Sequence, residues 1–306
     1  MTMVSHWKMR PVFLVLSWLA TLGVTQPVTA SELFLIPEKS VISMKSEPLI
    51  RLVGETFIKS DPPIARASLL DVTVTGNGRV NRLRDSAWYD EAECTVTSIS
   101  TLCGQRTGAV SKSHAVSILK YVVDNPGTYV VGVSTRPQTV TVSSAELAAH
   151  LRQSGAPGVL ETVESADSVD PLRERQSSYA HAIVQVSDQR TSDYARVLGH
   201  PVEITLDQNP YDRNAGDPIA FRVLRNGKPA SDQLVMVGYR DLQTVGSARV
   251  NLYELRTDSN GRASFLLTSR GLWYVSMLDM RKSADKHADY DATWSTVTFR
   301  RSDRSR

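Results

Sequence analysis

The sequence predicts a mainly β protein in which two β-sandwich domains are joined by a short helical segment. Three observations lead there. From Pro201 onward apolar residues recur with period two, the mark of strands that bury one face. Upstream of residue 140, β-branched runs of strand length lie between turn signals. Between the two regions, over residues 141–186, a helix-start signal opens a stretch of helix formers.

Residues 1–30 read as a secretory signal. Lys8 and Arg10 supply a positive start, Val12 to Val24 is an uncharged apolar run, and Val28-Thr29-Ala30 is a small-residue cleavage site. The run is ~13 residues, short of the ~20 needed to cross a bilayer as a helix. The expectation is a soluble, periplasmic chain that starts at Ser31 and has no membrane span once the signal is removed.

Residues 31–140 form the expected N-terminal β domain. Pro62-Pro63, Gly76-Asn77-Gly78 and Asn125-Pro126-Gly127 punctuate it, leaving Leu49 to Val53, Leu69 to Val74, Val116 to Val123 and Tyr129 to Val133 as strands. Cys94 and Cys103 lie nine positions apart across Ser, Thr and Leu. In an oxidising compartment that spacing predicts a disulfide across a hairpin, and closing so short a loop contributes about 2 to 3 kcal/mol. A redox or metal-binding pair would call for C-x-x-C spacing instead.

In residues 141–186, the helical insert and connecting strand, Ser143 and Glu146 form a capping box, since each side chain can reach the other's backbone N–H. A helix should follow to about Gln153 and stop at Gly155, with a second around Val159 to Val163. Asp170-Pro171 reads as the cap and first-turn proline of a third. Residues 187–306 carry the clearest alternation: Val202, Ile204 and Leu206; Ile219, Phe221 and Val223; Val235, Val237 and Tyr239; Ala263, Phe265 and Leu267; Trp273, Val275 and Met277. Asn226-Gly227 and Asn260-Gly261 suit tight hairpins. With a final run at Val297 to Phe299, about seven strands indicate an immunoglobulin-like sandwich.

Composition narrows function. The chain is 22% charged and 41% hydrophobic, with a net charge of +3 that falls to +1 when Lys8 and Arg10 leave with the signal. So small an excess, with no basic cluster interleaved with aromatics, speaks against a nucleic-acid partner. No H-E-x-x-H, G-x-S-x-G, P-loop or dinucleotide-binding signature occurs, so the expectation is a protein that is not an enzyme; a hydrolase site built across the domain interface is the weaker alternative.

The densest polar stretch runs from Asp285 to Asp291. In an extended segment Asp285, His287, Asp289 and Asp291 project to one side, and imidazole with carboxylates suits a divalent first-row metal; a solvated loop before the last strand is the plainer reading. Asp258-Ser259-Asn260-Gly261 opens like a calcium loop but lacks the twelfth-position Glu, which leaves a hairpin turn. His114, His150, His181 and His200 stand singly and read as surface or packing residues. Trp273 and Trp294 read as core, and Arg300, Arg301, Arg304 and Arg306 as a frayed solvated tail.

In order along the chain, Leu33 to Pro37, Pro126 to Val131, the Ala145 to Gly155 helix, Glu174 to Val186, Asn209-Pro210-Tyr211 with Gly216-Asp217, Gly227-Lys228-Pro229, Thr257-Asp258 with Gly261-Arg262-Ala263, and Gly271-Leu272-Trp273 resemble a NikM-like exported family of unknown function. That family is similar to the periplasmic component of nickel and cobalt uptake systems. The resemblance covers nearly the whole mature chain. It implies an accessory role in divalent-metal uptake beside an envelope transporter or receptor, with a divalent metal ion as ligand. Ser31-Glu32 stands where members often carry His and an acidic residue, and Asp279 stands where another family histidine falls. The expected ligand set is therefore Asp279, His287, Asp289 and Asp291. The alternative from another class is a structural or interaction module that binds an envelope protein or glycan.

Overall fold

A computed structural model describes residues 32–46, 49–53, 64–84, 87–89, 94–96, 101–103, 115–116, 118–154, 157–165, 171–240 and 250–301. The expected signal segment therefore lies outside the described residues. The chain is mainly β. Six strands frame it: β1 (Leu69–Gly76), β2 (Gly127–Thr135), β3 (Leu172–Val186), β4 (Leu234–Arg240), β5 (Gly271–Lys282) and β6 (Tyr290–Arg301). They stand side by side in one ten-stranded sheet in the order β4-β5-β6-β3-β2-β1, with Val250–Arg256 at one edge and Arg79–Arg82 at the other. Gln138–Val142 and Val41–Ile42 also pair with β3.

The two β regions expected as separate sandwiches share this sheet. Its seam is the parallel pairing of β3 with β6, in register from Glu174 opposite Tyr290 to Ile183 opposite Phe299. Because side chains alternate across a strand, each central strand feeds two cores. Val131, Ala182 and Val184 point to one face, where Leu35, Ile50, Leu52, Trp88 and Leu119 of a four-stranded N-terminal sheet cover them. Val130, Ile183, Val297 and Phe299 point to the other, against Ile204, Phe221 and Phe265 of a second four-stranded sheet. The second sheet is built from Val202–Leu206, Pro218–Arg225, Lys228–Pro229 and Arg262–Leu266. Three layers result, with the large sheet in the middle.

The Phe34–Pro37 strand is buried between layers and is tied across them: Thr296 Oγ1 donates to the Leu33 carbonyl at 2.6 Å, and Thr298 Oγ1 donates to that of Leu35. Helix α1 (Ser144–Ser154) begins at the expected capping box, where Ser143 N–H donates to Glu146 Oε2 at 2.9 Å and Glu146 N–H to Ser143 Oγ at 3.2 Å. With α2 (Pro157–Ser165) it covers one end of the middle sheet through Leu147, Leu151 and Val163 against Leu278, Met280 and Trp294. Trp273 and Trp294 are both core residues.

Several expectations are corrected. Asp170 lies outside the described residues, but Pro171 leads into β3 and not into a third helix. Strand pairing along both edges of Leu172–Val186 outweighs the local cap-and-proline signal there. The stretch taken as a connecting strand is the centre of the sheet. Asn226-Gly227 does close a hairpin, both residues at positive φ, with Arg225 opposite Lys228. The Asp258 to Gly261 turn is not a hairpin: Val250–Arg256 pairs with β4, whereas Arg262–Leu266 pairs with Pro218–Arg225, so the chain changes layers there. Arg300 and Arg301 belong to β6, and Arg300 donates to the Glu38 carbonyl; Arg304 and Arg306 lie outside the described residues.

Phe221 is fully buried in the outer C-terminal layer. Phe221→Ala should cost about 3 to 5 kcal/mol, measured as a shift of the urea midpoint at unchanged slope; a loss under about 1 kcal/mol would contradict this packing.

Candidate functional site

The residues expected to bind metal are each held by an arginine or exposed. Asp279, nearly buried on β5, accepts two bonds from Arg225, Nη2 to Oδ1 at 2.7 Å and Nε to Oδ2 at 3.2 Å. Asp289 accepts from Arg173 through its backbone N–H at 2.7 Å and through its guanidinium. Asp291 accepts from Arg175 Nε and from Ser283 Oγ, both at 2.8 Å. The parallel register of β3 and β6 sets Arg175 opposite Asp291. The segment before β6 is a turn and not the extended run expected, because Asp285 Oδ1 accepts the His287 N–H two residues on at 2.9 Å. His287 itself is exposed. The hydrogen bonds from Arg173 hold the Asp289 carboxyl below its ordinary range, and the His287 N–H does the same chiefly for Asp285. Among the described residues no group of three or more His, Cys, Asp or Glu side chains is placed to hold a metal ion.

Cys94–Val96 and Thr101–Cys103 pair antiparallel with Cys94 in register opposite Cys103.

A different cluster forms where β3 meets the outer C-terminal layer. His181 sits on β3 and is buried; His200 precedes the Val202–Leu206 strand and packs on it, the rings 5.0 Å apart and nearly parallel. His181 Nε2 and His200 Nδ1 are 2.9 Å apart. One of the two facing nitrogens donates and the other accepts, and the tautomer sets which. Burial pushes the imidazole pKa of both residues down to about 4, so at neutral pH both rings are uncharged.

The loop carrying His200 is fastened from below. Glu203, buried on the adjoining strand, accepts the backbone N–H groups of Leu198, Gly199 and His200 at 2.5, 3.0 and 3.3 Å. Burial raises its pKa while those three donors oppose the rise. Upstream, the Asp193 carboxylate clamps the Asn77-Gly78 turn, accepting from Asn77 N–H at 2.8 Å and Gly78 N–H at 3.2 Å. Gly132 on β2 gives the loop room: a Cβ there would lie 2.7 Å from Leu198 Cδ1 and 3.6 Å from His181 Cδ2. The loop and the sheet enclose a cleft of about 620 Å³ whose walls include Asp71, Thr73, Ser134, Tyr179, Arg196 and His200. Tyr179 lies 4.8 Å from His200, ring to ring.

Reading the sequence missed this pairing, since 19 residues separate the two histidines. The sheet joins them, and the one local hint was His200-Pro201 ahead of an alternating strand that opens with a buried-side Glu.

A family model, domain of unknown function (DUF4198), matches residues 28–280. The chain belongs to the DUF4198 family. No curated protein sequence matches this DUF4198 chain. Among solved structures it is similar to the D0-D1 domain of intimin, at 15% identity over 87% of this chain and 96% of that one, TM-score 0.19. It is also similar to a two fibronectin type-III domain segment from chicken tenascin, at 9% identity over 87% and 97%, TM-score 0.19, and to murine CEACAM1b, at 7% identity over 89% and 99%, TM-score 0.20. Among the described residues no helix is long and apolar enough to cross a membrane.

Two outcomes follow from the geometry. In an unfolded chain His181 and His200 titrate near 6.5, against about 4 when folded. Between those values the unfolded state binds more protons, so stability is full above about pH 6.5 and drains as pH falls toward 4; Glu203, with its raised pKa, opposes part of that loss. Thermal unfolding should show Tm lower by about 5 °C at pH 4.5 than at pH 7, with a smaller drop in His200→Gln; equal drops in both proteins would contradict the relay. Asp279→Ala removes both bonds to the partly exposed Arg225, which keeps Gln233, and should cost about 1 kcal/mol in urea unfolding, where a change under about 0.3 kcal/mol would contradict the pairing.

Proposed function

We propose that this DUF4198 protein is an exported, non-catalytic binding or accessory protein of the periplasm, and that its ligand meets the chain at the His200 cleft. One observation carries the reading: an uncharged imidazole, hydrogen-bonded to His181, stands on a fastened wall of a cleft of about 620 Å³, within the size range of small-molecule sites. The same burial argues against catalysis. A general base works best with a pKa near the operating pH, and an imidazole near 4 is a weak one. Export rests on the leader-like first thirty residues.

Service to nickel or cobalt uptake rests on the resemblance to NikM-like proteins. An uncharged imidazole is the form that ligates such ions, but His200 alone supplies one donor, and the Asp279, Asp289 and Asp291 carboxylates are engaged by arginines. The role is therefore accessory to an envelope transporter or receptor. The alternative, an interaction module for an envelope protein or glycan, draws support from Arg79–Arg82. All four of its residues are exposed, and among the described strands it pairs with β1 alone.

Native mass spectrometry of protein isolated from the periplasm should show a bound small-molecule mass that His200→Ala loses; an unliganded mass in both would contradict the reading. Calorimetric titration of chelator-treated protein with nickel, cobalt, zinc and calcium should give dissociation constants no tighter than about 0.1 mM. Tight saturable binding lost in His287→Ala with Asp289→Ala would overturn the accessory role in favour of metal held at the β5–β6 turn. Turnover of an ester, phosphate or glycoside panel would overturn the non-catalytic part.

A further inference from the structure

Arg79–Arg82 forms one edge of the middle sheet, and all four of its residues are exposed. Its register on β1 sets Arg79 opposite Gly76 and Asn81 opposite Val74, with Asn77-Gly78 as the turn, both at positive φ. A two-residue hairpin turn of this kind makes Arg79 and Asn81 the hydrogen-bonded positions, so Val80 and Arg82 turn their N–H and C=O groups outward. Leu83 continues the inward set, its N–H donating to the Val72 carbonyl at 3.0 Å. The edge is held before any partner arrives: Asp193 clamps the turn, and Asp71 pairs with Arg82 at 3.2 Å.

Alternate side chains of this edge lie over two recesses, one on each face of the sheet. Arg79, Asn81 and Leu83 line a groove of about 630 Å³ with Tyr121 and Tyr129; Val80 and Arg82 line the His200 cleft. An added strand needs both features, an unpaired edge for its backbone and recesses for its alternate side chains. Charge decides which strand. Arg79, Arg82 and Arg84 are exposed within six residues, and among the described residues Asp71 is the one carboxylate paired with any of them. Leu70 and Val80, each about half exposed, offer apolar surface beside them. A second copy of this chain would bring the same three arginines onto the strip again, and like charges across a strand pair are destabilising. The complementary strand is acidic and foreign.

We propose that the Arg79–Arg82 edge adds one strand of a partner protein, an extended segment that carries acidic residues among β-branched ones. The segment exchanges backbone hydrogen bonds with Val80 and Arg82, its carboxylates meet Arg79, Arg82 and Arg84, and its apolar side chains lie on Leu70 and Val80. The inference goes beyond the small-molecule reading of the His200 cleft and stands without it.

The test is titration of the full mature protein, at low salt, with an end-blocked peptide of valine, threonine and glutamate and with its counterpart carrying lysine for glutamate. The glutamate peptide should bind saturably and about tenfold or more tightly than the lysine one. In its complex, hydrogen exchange at the Val80 and Arg82 amides should slow about tenfold or more, while that of Asn81, already bonded to Val74, changes by less than about twofold. Arg79→Glu with Arg84→Glu, both at exposed positions, should reverse the preference between the peptides. Val80→Pro removes an outward N–H without touching the bonds to β1 and should abolish binding. Equal binding of the two peptides would overturn the charge match, and unchanged exchange at Val80 and Arg82 would overturn strand addition. A concentration-dependent dimer that Val80→Pro abolishes would make the occupant a second copy and overturn the foreign strand. If neither peptide binds, the inference falls, and a native mass spectrum that still shows a ligand lost in His200→Ala leaves the small-molecule reading standing.

Discussion

The parallel pairing of Leu172–Val186 with Tyr290–Arg301 is the constraint on which the rest depends. It joins strands about 116 positions apart in the sequence and sets β3 in the middle of a sheet buried on both faces. A strand in that position must offer apolar side chains in both directions, as the run from Ala180 to Val186 does. The polar exceptions are informative. His181 and Gln185, both buried, find partners across layers or in adjoining backbone. Removing β6 would leave β3 with an unpaired edge and expose two cores at once.

The candidate site follows from that seam. His181 can reach the outer layer only because β3 turns its odd-numbered side chains toward the Val202–Leu206 strand, and His200 meets it because Glu203 gathers the preceding loop by three N–H groups. The two imidazoles share one hydrogen bond, and His200 lines the cleft. Burial supplies the electrostatic half, since protonating either ring would place a charge in a poorly solvated position beside its neighbour. The arginine pairs at the other end of β3 lock the strand to the β5–β6 turn and account for the acidic run that the sequence displays so plainly.

Local signals were legible in the sequence and long-range ones were not. The capping box at Ser143, the Asn226-Gly227 hairpin, the period-two strands from Val202 to Met277 and the buried tryptophans depend on near neighbours, and the residues show them directly. The parallel seam is a pairing across about 116 positions, and nothing in periodicity says which strand a buried strand will join. For the same reason Asp170-Pro171 misled: a cap and proline signal a helix start, but β3 gains hydrogen-bonded neighbours along both sides. The Asp285 to Asp291 run is a different case. The sequence displays its carboxylates but hides Arg173 and Arg175, which pair with them across the sheet. The histidine relay was invisible since each member, taken alone, is an ordinary core or loop residue.

Native-state hydrogen exchange tests the shared sheet most directly, by comparing the backbone amides of Val131 in β2, on the N-terminal side of the seam, with Val275 in β5, on the C-terminal side. If one sheet carries both cores, their opening free energies agree within about 1 kcal/mol and fall together when Phe299, at the seam, is replaced by alanine. Opening free energies that differ by several kcal/mol, with Phe299→Ala lowering only that of Val275, would contradict it.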